Sequence, residues 1–303
     1  MRLITLLAFG FLLFFVSCNQ APKGPTIALV TKTSDSPYFN EMREVAQKTA
    51  DSLGLTLISN GPQREYDIAK QTEIIENLIQ RGVDVLCIVP CGSREIVPVI
   101  KKANKANIPV IIVDTRVDEE ALNSSNAKIE TFIGSDNYEG GVIAGKYLVQ
   151  LLNGKGKVAM IEGVVGHETN DNRKQGFKDA IKDSTGIELV TVQSANWERD
   201  KAYNVCQNIL LANPDIDGIF TASDLMGLGA LKAIEAENKL NEIALVSFDA
   251  LPEAQKKVKE GKMRGTVAQF PGLMGETAIL QAHNLLNGQP VEKEIPVKIE
   301  LIK

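Results

Sequence analysis

The sequence predicts an α/β protein of two doubly wound parallel-sheet domains, and three observations lead there. From Thr26 onward, short Val/Ile/Leu-rich runs alternate with longer stretches of helical period. Strands that are apolar along their whole length are covered on both faces, which is the signature of parallel sheets flanked by helices. Eight such runs fit one closed barrel as well as two open sheets, but the alternation restarts after TFIGSDN at residues 131–137, which favours two sheets. The halves also echo each other, since IPVIIVDT and IALVSFDA both finish an apolar strand with an Asp. At 303 residues the chain is about twice a typical domain in length.

The first element is not part of that fold. Residues 1–17, MRLITLLAFGFLLFFVS, join Arg2 to an apolar stretch from Leu3 to Val16 and then meet Cys18. This reads as a signal peptide, because a helix of that length spans only about 21 Å, short of the ~30 Å of membrane hydrocarbon. The ending FVSC resembles a lipobox, with Phe15 where Leu is usual, so Cys18 is the expected lipidation site. Residues 18–25 hold two prolines, a glycine and no periodicity, as befits a tether between lipid and folded body.

The strand candidates then follow in order: TIALVT, LTLIS, DVLCIVP and IPVIIVD, and after the restart KVAMIEG, IELVTVQ, GIFTAS and IALVSFD. Helical period marks Tyr38–Leu53, Tyr66–Arg81 and Lys201–Ala212 between them. GGVIAGKY at residues 140–147 fits most of a phosphate loop, but Tyr147 stands where a magnesium-binding Ser or Thr is needed. Its glycines are better suited to close helix packing. GLGALK at residues 227–232 falls inside a predicted helix and lacks the third glycine of a dinucleotide fingerprint. Cys87, Cys91 and Cys206 read as small buried apolar residues, because four residues of strand separate the first two by about 13 Å, beyond disulfide reach, and no His lies nearby for zinc.

Composition narrows the function classes. Hydrophobic residues make up 44% and charged residues 23%, ordinary values for a compact protein. A net charge of −5 without a long basic run gives no footprint for nucleic acid. There is no GxSxG elbow, no HExxH pair and only two histidines, so neither an enzyme mechanism, a cofactor nor a metal is expected.

What remains suits a polyhydroxyl ligand. In open parallel sheets ligands bind beyond the carboxyl ends of strands, where Asp114 and Asp249 stand, although each could instead cap the following helix. Asp accepts hydrogen bonds from neighbouring hydroxyls and Arg supplies a planar fork of donors. Tyr38, Phe39 and the single Trp, Trp197, are candidates for packing on a sugar ring. Trp197 precedes three charged residues in a polar loop and is expected half-exposed, while His167, in the loop VVGHETNDNR, is either solvated or turned to a ligand. The strand-end loops are expected to be solvated before ligand arrives.

TIALVTKTSDSPYFNEM, IPVIIVDT, FIGSDNYEGGVIAGKYL, ANWERDKAYNV, SDLMGLGALKAI, VSFDALPE and GTVAQFP, in this order and spacing, resemble the periplasmic sugar-binding proteins of the ribose-binding type. The resemblance spans nearly all of residues 26–303. It implies the type I periplasmic-binding-protein fold, with one domain of residues 26–134 plus 270–295, another of 135–269 plus 296–303, and a three-segment hinge. By position, Tyr38 and Phe39 match ring-stacking aromatics, Ser36 a frequent Asn, Asp114 and Asp249 the carboxylates that grip hydroxyls, Gln269 a hinge amide and Trp197 the aromatic of the second domain. Arg173 and His167 match positions of glucose/galactose-type relatives. Thr115, Arg116 and Ser223 are expected at the ligand as well, with departures from the family pattern where Thr115 intervenes before Arg116, where Asp171 replaces an Arg and where Ser223 replaces an Asn. The implied function is a lipid-anchored, monomeric extracytoplasmic receptor that delivers a pentose or hexose to the permease of an ABC importer. The alternative is a sensory receptor that presents a sugar or furanosyl signal to a chemoreceptor or sensor kinase.

Overall fold

A computed structural model describes residues 24–303, so the expected signal peptide, the expected lipidation site Cys18 and most of the expected tether lie outside the described residues. The first half runs β1 (Thr26–Val30), α1 (Pro37–Ser52), β2 (Thr56–Asn60), α2 (Ile68–Gln80), β3 (Val85–Ile88), α3 (Val97–Lys105), β4 (Val110–Val113), α4 (Glu119–Ser125) and β5 (Thr131–Gly134). The second runs α5 (Asn137–Leu151), β6 (Lys155–Glu162), α6 (Glu168–Lys182), β7 (Gly186–Ser194), α7 (Arg199–Ala212), β8 (Gly218–Thr221), α8 (Asp224–Ala236), β9 (Ala244–Asp249), α9 (Pro252–Lys259) and β10 (Gly265–Ala268). The chain ends with α10 (Pro271–Leu286), β11 (Glu294–Pro296) and β12 (Glu300–Ile302).

Two six-stranded sheets result, ordered β11-β5-β4-β3-β1-β2 and β12-β10-β9-β8-β6-β7. Every pairing is parallel except that of β12 with β10. The fold is therefore two doubly wound α/β sheets. The central strands β3, β4 and β8 are buried along their whole length, as the apolar runs of β3 and β4 require. On the first sheet, alternate strand residues point to two separate cores: Ile27, Leu29 and Cys87 face α1 and α10, while Ala28, Val30 and Ile88 face α2 and α3. Asp67, Asp118 and Asp136 fix the starts of α2, α4 and α5, each accepting a hydrogen bond from a main-chain N–H three residues on.

The glycines of GGVIAGKY lie on α5, against α6. An added Cβ at Gly141 would stand 2.2 Å from the Arg173 carbonyl oxygen, and one at Gly145 2.7 Å from Ala180. GLGALK is likewise the body of α8. Cys87, Cys91 and Cys206 are buried free thiols, each pushed up to about 12 by burial.

The chain passes between the sheets three times: after β5, after β10, and between β11 and β12. The crossings lie side by side. The Val297 N–H donates to the Gly134 carbonyl at 2.9 Å and the Ser135 hydroxyl to the Gln269 carbonyl at 3.4 Å. Among the described residues, no helix is long and apolar enough to cross a membrane.

Candidate functional site

The carboxyl ends of the two sheets face each other across a cavity. From the first sheet comes Asp114, directly after β4 and 4% exposed. Its Oδ1 accepts from the Tyr38 hydroxyl at 2.8 Å, its Oδ2 accepts from the Thr115 hydroxyl at 2.8 Å, and Lys32 Nζ lies 3.6 Å from Oδ2. Tyr38 is held by α1, whose first turn starts at Pro37, and Phe39 meets its ring edge-on at 5.1 Å between centroids. Ser36 stands at the N-terminus of α1 without a side-chain capping bond, leaving its hydroxyl to the cavity.

From the second sheet comes Asp249, the last residue of β9. Its Oδ1 accepts from Gln269 Nε2 at 2.6 Å and faces Arg173 Nη1 at 3.4 Å. Arg173, from α6, is clamped: Nε donates to Asn137 at 2.8 Å, Nη1 to the Ala222 carbonyl at 2.6 Å, and the guanidinium lies 3.8 Å over the Phe248 ring. Burial raises the Asp249 carboxyl above the usual range, and Arg173 and the Gln269 amide pull against that. Behind it, Asp224 is fully buried and accepts from Ser247, Thr266 and the Leu251 N–H; burial first and Asp249 second raise its carboxyl. The Oε1 of Gln269 is buried without a partner among the described residues. Ser223 lines the cavity while its hydroxyl caps α8.

Neither Asp114 nor Asp249 caps a helix. Asp118 caps α4, and Leu251 occupies that position before α9. Both carboxylates instead sit at positive φ, +65° and +110°, turned out of their strands toward the cavity.

Four expectations need correction. Trp197 is 7% exposed rather than half-exposed: it lies over Gly163, where an added Cβ would fall 2.2 Å from the indole, so one edge joins the core and the other lines the cavity. His167 is buried behind Trp197, with Nδ1 3.5 Å from the indole Nε1, and does not line the cavity; burial first and Lys32 second lower it to about 4, so it is neutral. Arg116 points away, pairing with Glu294 and lying 4.0 Å over the Phe132 ring, while Thr115 reaches only Asp114. The strand ends at Asp114, Thr115 and Ser223 are buried rather than solvated, whereas the loop after β6 keeps Val165 exposed.

Lys32, Glu65, Thr169, Leu225 and Leu251 also line the cavity and were not among the expected residues. Lys32 carried a positional signal, since it lies two residues past the end of β1, on the ligand side of the sheet. Glu65 sits in an irregular loop and carried none.

A cavity of fixed acceptors and donors between two doubly wound lobes is the arrangement of a small-molecule binding protein. The chain belongs to the periplasmic binding protein domain family, which matches residues 27–290. It is 36% identical to the ribose import binding protein of Haemophilus influenzae over 302 residues, covering 100% of this chain and 99% of that one. It is 31% identical to the D-allose-binding periplasmic protein of Escherichia coli, covering 83% of this chain and 81% of that one. Among solved structures, an ABC transporter periplasmic solute binding protein from Actinobacillus succinogenes with bound D-allose superposes with a TM-score of 0.89 at 35% identity, covering 92% of this chain and 97% of that one. These relatives are binding proteins, and this chain is a binding protein rather than an enzyme.

Proposed function

We propose that the chain is an extracytoplasmic receptor that closes on one monosaccharide, a pentose or a hexose, and delivers it to the membrane permease of an ABC importer. The observation that carries this is the pair Asp114 and Asp249, one from each sheet, each already oriented by neighbouring donors and facing one cavity with Tyr38, Phe39 and Trp197. A sugar hydroxyl donates to each carboxylate and to Gln269 Oε1, and accepts from Arg173 or Lys32. Charge-assisted bonds of this kind contribute roughly 1.5–3 kcal/mol each once water is excluded. The aromatic rings supply the apolar faces against which the C–H faces of a sugar ring pack.

The names of the relatives support import over the sensory alternative. The site is complete within one chain, which supports a monomer. The signal peptide and Cys18 support a lipid anchor that holds the receptor beside its permease. Labelled fatty acid is then expected on the wild-type chain and not on Cys18→Ser; no label on either refutes the anchor.

The decisive experiment is a thermal-shift screen of pentoses and hexoses, followed by calorimetry and recovery of the ligand. At least one sugar is expected to raise the melting temperature, bind at one site per chain and be recovered unchanged. Failure of every sugar to bind, or conversion of the bound one, overturns the proposal.

A further inference from the structure

Within the cavity the side-chain cations and the Gln269 amide stand against the two aspartates. Lys32 faces Asp114, and Arg173 and Gln269 Nε2 face Asp249. One acid stands outside this arrangement. Glu65, in the loop between β2 and α2, lines the cavity yet has neither a hydrogen bond nor an ion pair with any described residue. Glu65 is half-buried, and that burial lifts its carboxyl to about 7. An acceptor of this kind costs free energy unless something donates to it.

Glu65 also marks the end of the inner cavity. It also lines a second, more open hollow bordered by Tyr66, Asn196 and Glu198. A pentopyranose carries its hydroxyls on the ring alone, where Asp114, Asp249, Gln269, Lys32 and Arg173 address them. A hexopyranose adds one exocyclic hydroxymethyl group, a donor on a short arm, and there is open space beside Glu65 to receive such an arm.

We propose that Glu65 is the size-selecting residue of the cleft: its carboxylate accepts a hydrogen bond from an exocyclic hydroxymethyl group, so the preferred ligand is a hexose rather than the corresponding pentose. This rests on the cleft being a sugar site. The selection is between two sugars that differ by a single CH2OH, and a site that hydrogen-bonds a hydroxyl discriminates strongly against the analogue that lacks it.

The test is calorimetry on the chain without its leader, using pairs that differ only in that group: D-allose with D-ribose, D-glucose with D-xylose, D-galactose with L-arabinose. In at least one pair the wild type is expected to bind the hexose tenfold or more tighter. Glu65→Ala is expected to bring that pair within about threefold by weakening the hexose alone, and Glu65→Gln, which keeps an acceptor, to retain part of the preference.

A pH series gives an independent readout. Lys32, Arg173, Asp114 and Asp249 are the charged groups that act on Glu65. A hydroxyl donor favours the ionised carboxylate, so the hexose preference is expected to shrink as pH falls from about 8 to about 6 in the wild type, and not in Glu65→Ala. Because Glu65 bonds to nothing in the fold and its burial costs free energy, the variant is expected to melt no lower than the wild type. If pentose binds as well as hexose in every pair, or Glu65→Ala weakens both members equally, the size selection is wrong while the sugar receptor stands. If no sugar binds, both fall.

Discussion

Asp114 serves the fold and the ligand at once. Its carboxylate takes the hydroxyls of Tyr38 and Thr115 and lies opposite a Lys32 that is itself 3% exposed. Removing one partner of a buried pair leaves the other charge desolvated, which costs about 3 kcal/mol or more. Asp114→Ala is therefore expected to lose about that much stability without ligand and at least tenfold in sugar affinity, whereas Asp114→Ala with Lys32→Met should recover much of the stability and none of the affinity. Denaturant titration and calorimetry on both variants check this, and an Asp114→Ala protein as stable as the wild type would show that the pair does not matter to the fold. The two aspartates were legible in the sequence because each ends a largely apolar strand. Their positive φ was not, nor was the direction of Arg116, whose aromatic and acidic partners Phe132 and Glu294 come from distant segments. Trp197 misled because its neighbours in sequence are charged, while its neighbour in space is Gly163, a glycine that leaves a flat seat for the indole.

Helices in this fold approach closely wherever a glycine faces a carbonyl. At Gly176 on α6 an added Cβ would stand 2.0 Å from the Tyr138 carbonyl oxygen of α5, and at Gly229 on α8 2.1 Å from that of Arg199 on α7. Backbone on both sides leaves no flexible atom to give way. The α5–α6 contact matters for the site because α6 carries Arg173 and α5 carries Asn137, which bonds it. Gly176→Ala is expected to cost about 3 kcal/mol, at the upper end for overpacking, and to weaken ligand binding by moving the guanidinium. A denaturant midpoint equal to the wild type would show that the helices part without penalty. The long elements were readable because apolar runs and helical period persist over many residues. The three-residue strands β11 and β12 were not: EIP and ELI are too short for any period, and only pairing with β5 and β10 makes them strands.

At the scale of the molecule, the three crossings and the two carboxylates define a lever. The crossings lie together at one side, joined by the Val297 and Ser135 hydrogen bonds, whereas at the cleft mouth the lobes meet through the Tyr66 hydroxyl and Glu198 at 3.5 Å. So long a contact holds the mouth weakly, and an unliganded chain is expected to open about the crossings. A ligand changes that balance only through contacts made in the closed form alone. A sugar seated against Asp114 gains Asp249 and Arg173 on closure, two charge-assisted groups contributing roughly 3–6 kcal/mol together. Moving an equilibrium from 1:99 to 99:1 takes about 5.5 kcal/mol, so those two groups are of the right size to close the lobes and neither alone is. Solution scattering on residues 24–303 should then show the radius of gyration falling on saturation with sugar, toward the roughly 19 Å of a compact chain of this length. In Asp249→Ala, saturated at higher sugar concentration, the fall should be reduced, because the ligand still binds the first lobe but no longer gains as much from the second. A radius that does not change with sugar in the wild type, or falls fully in the variant, would mean that closure is not driven from Asp249.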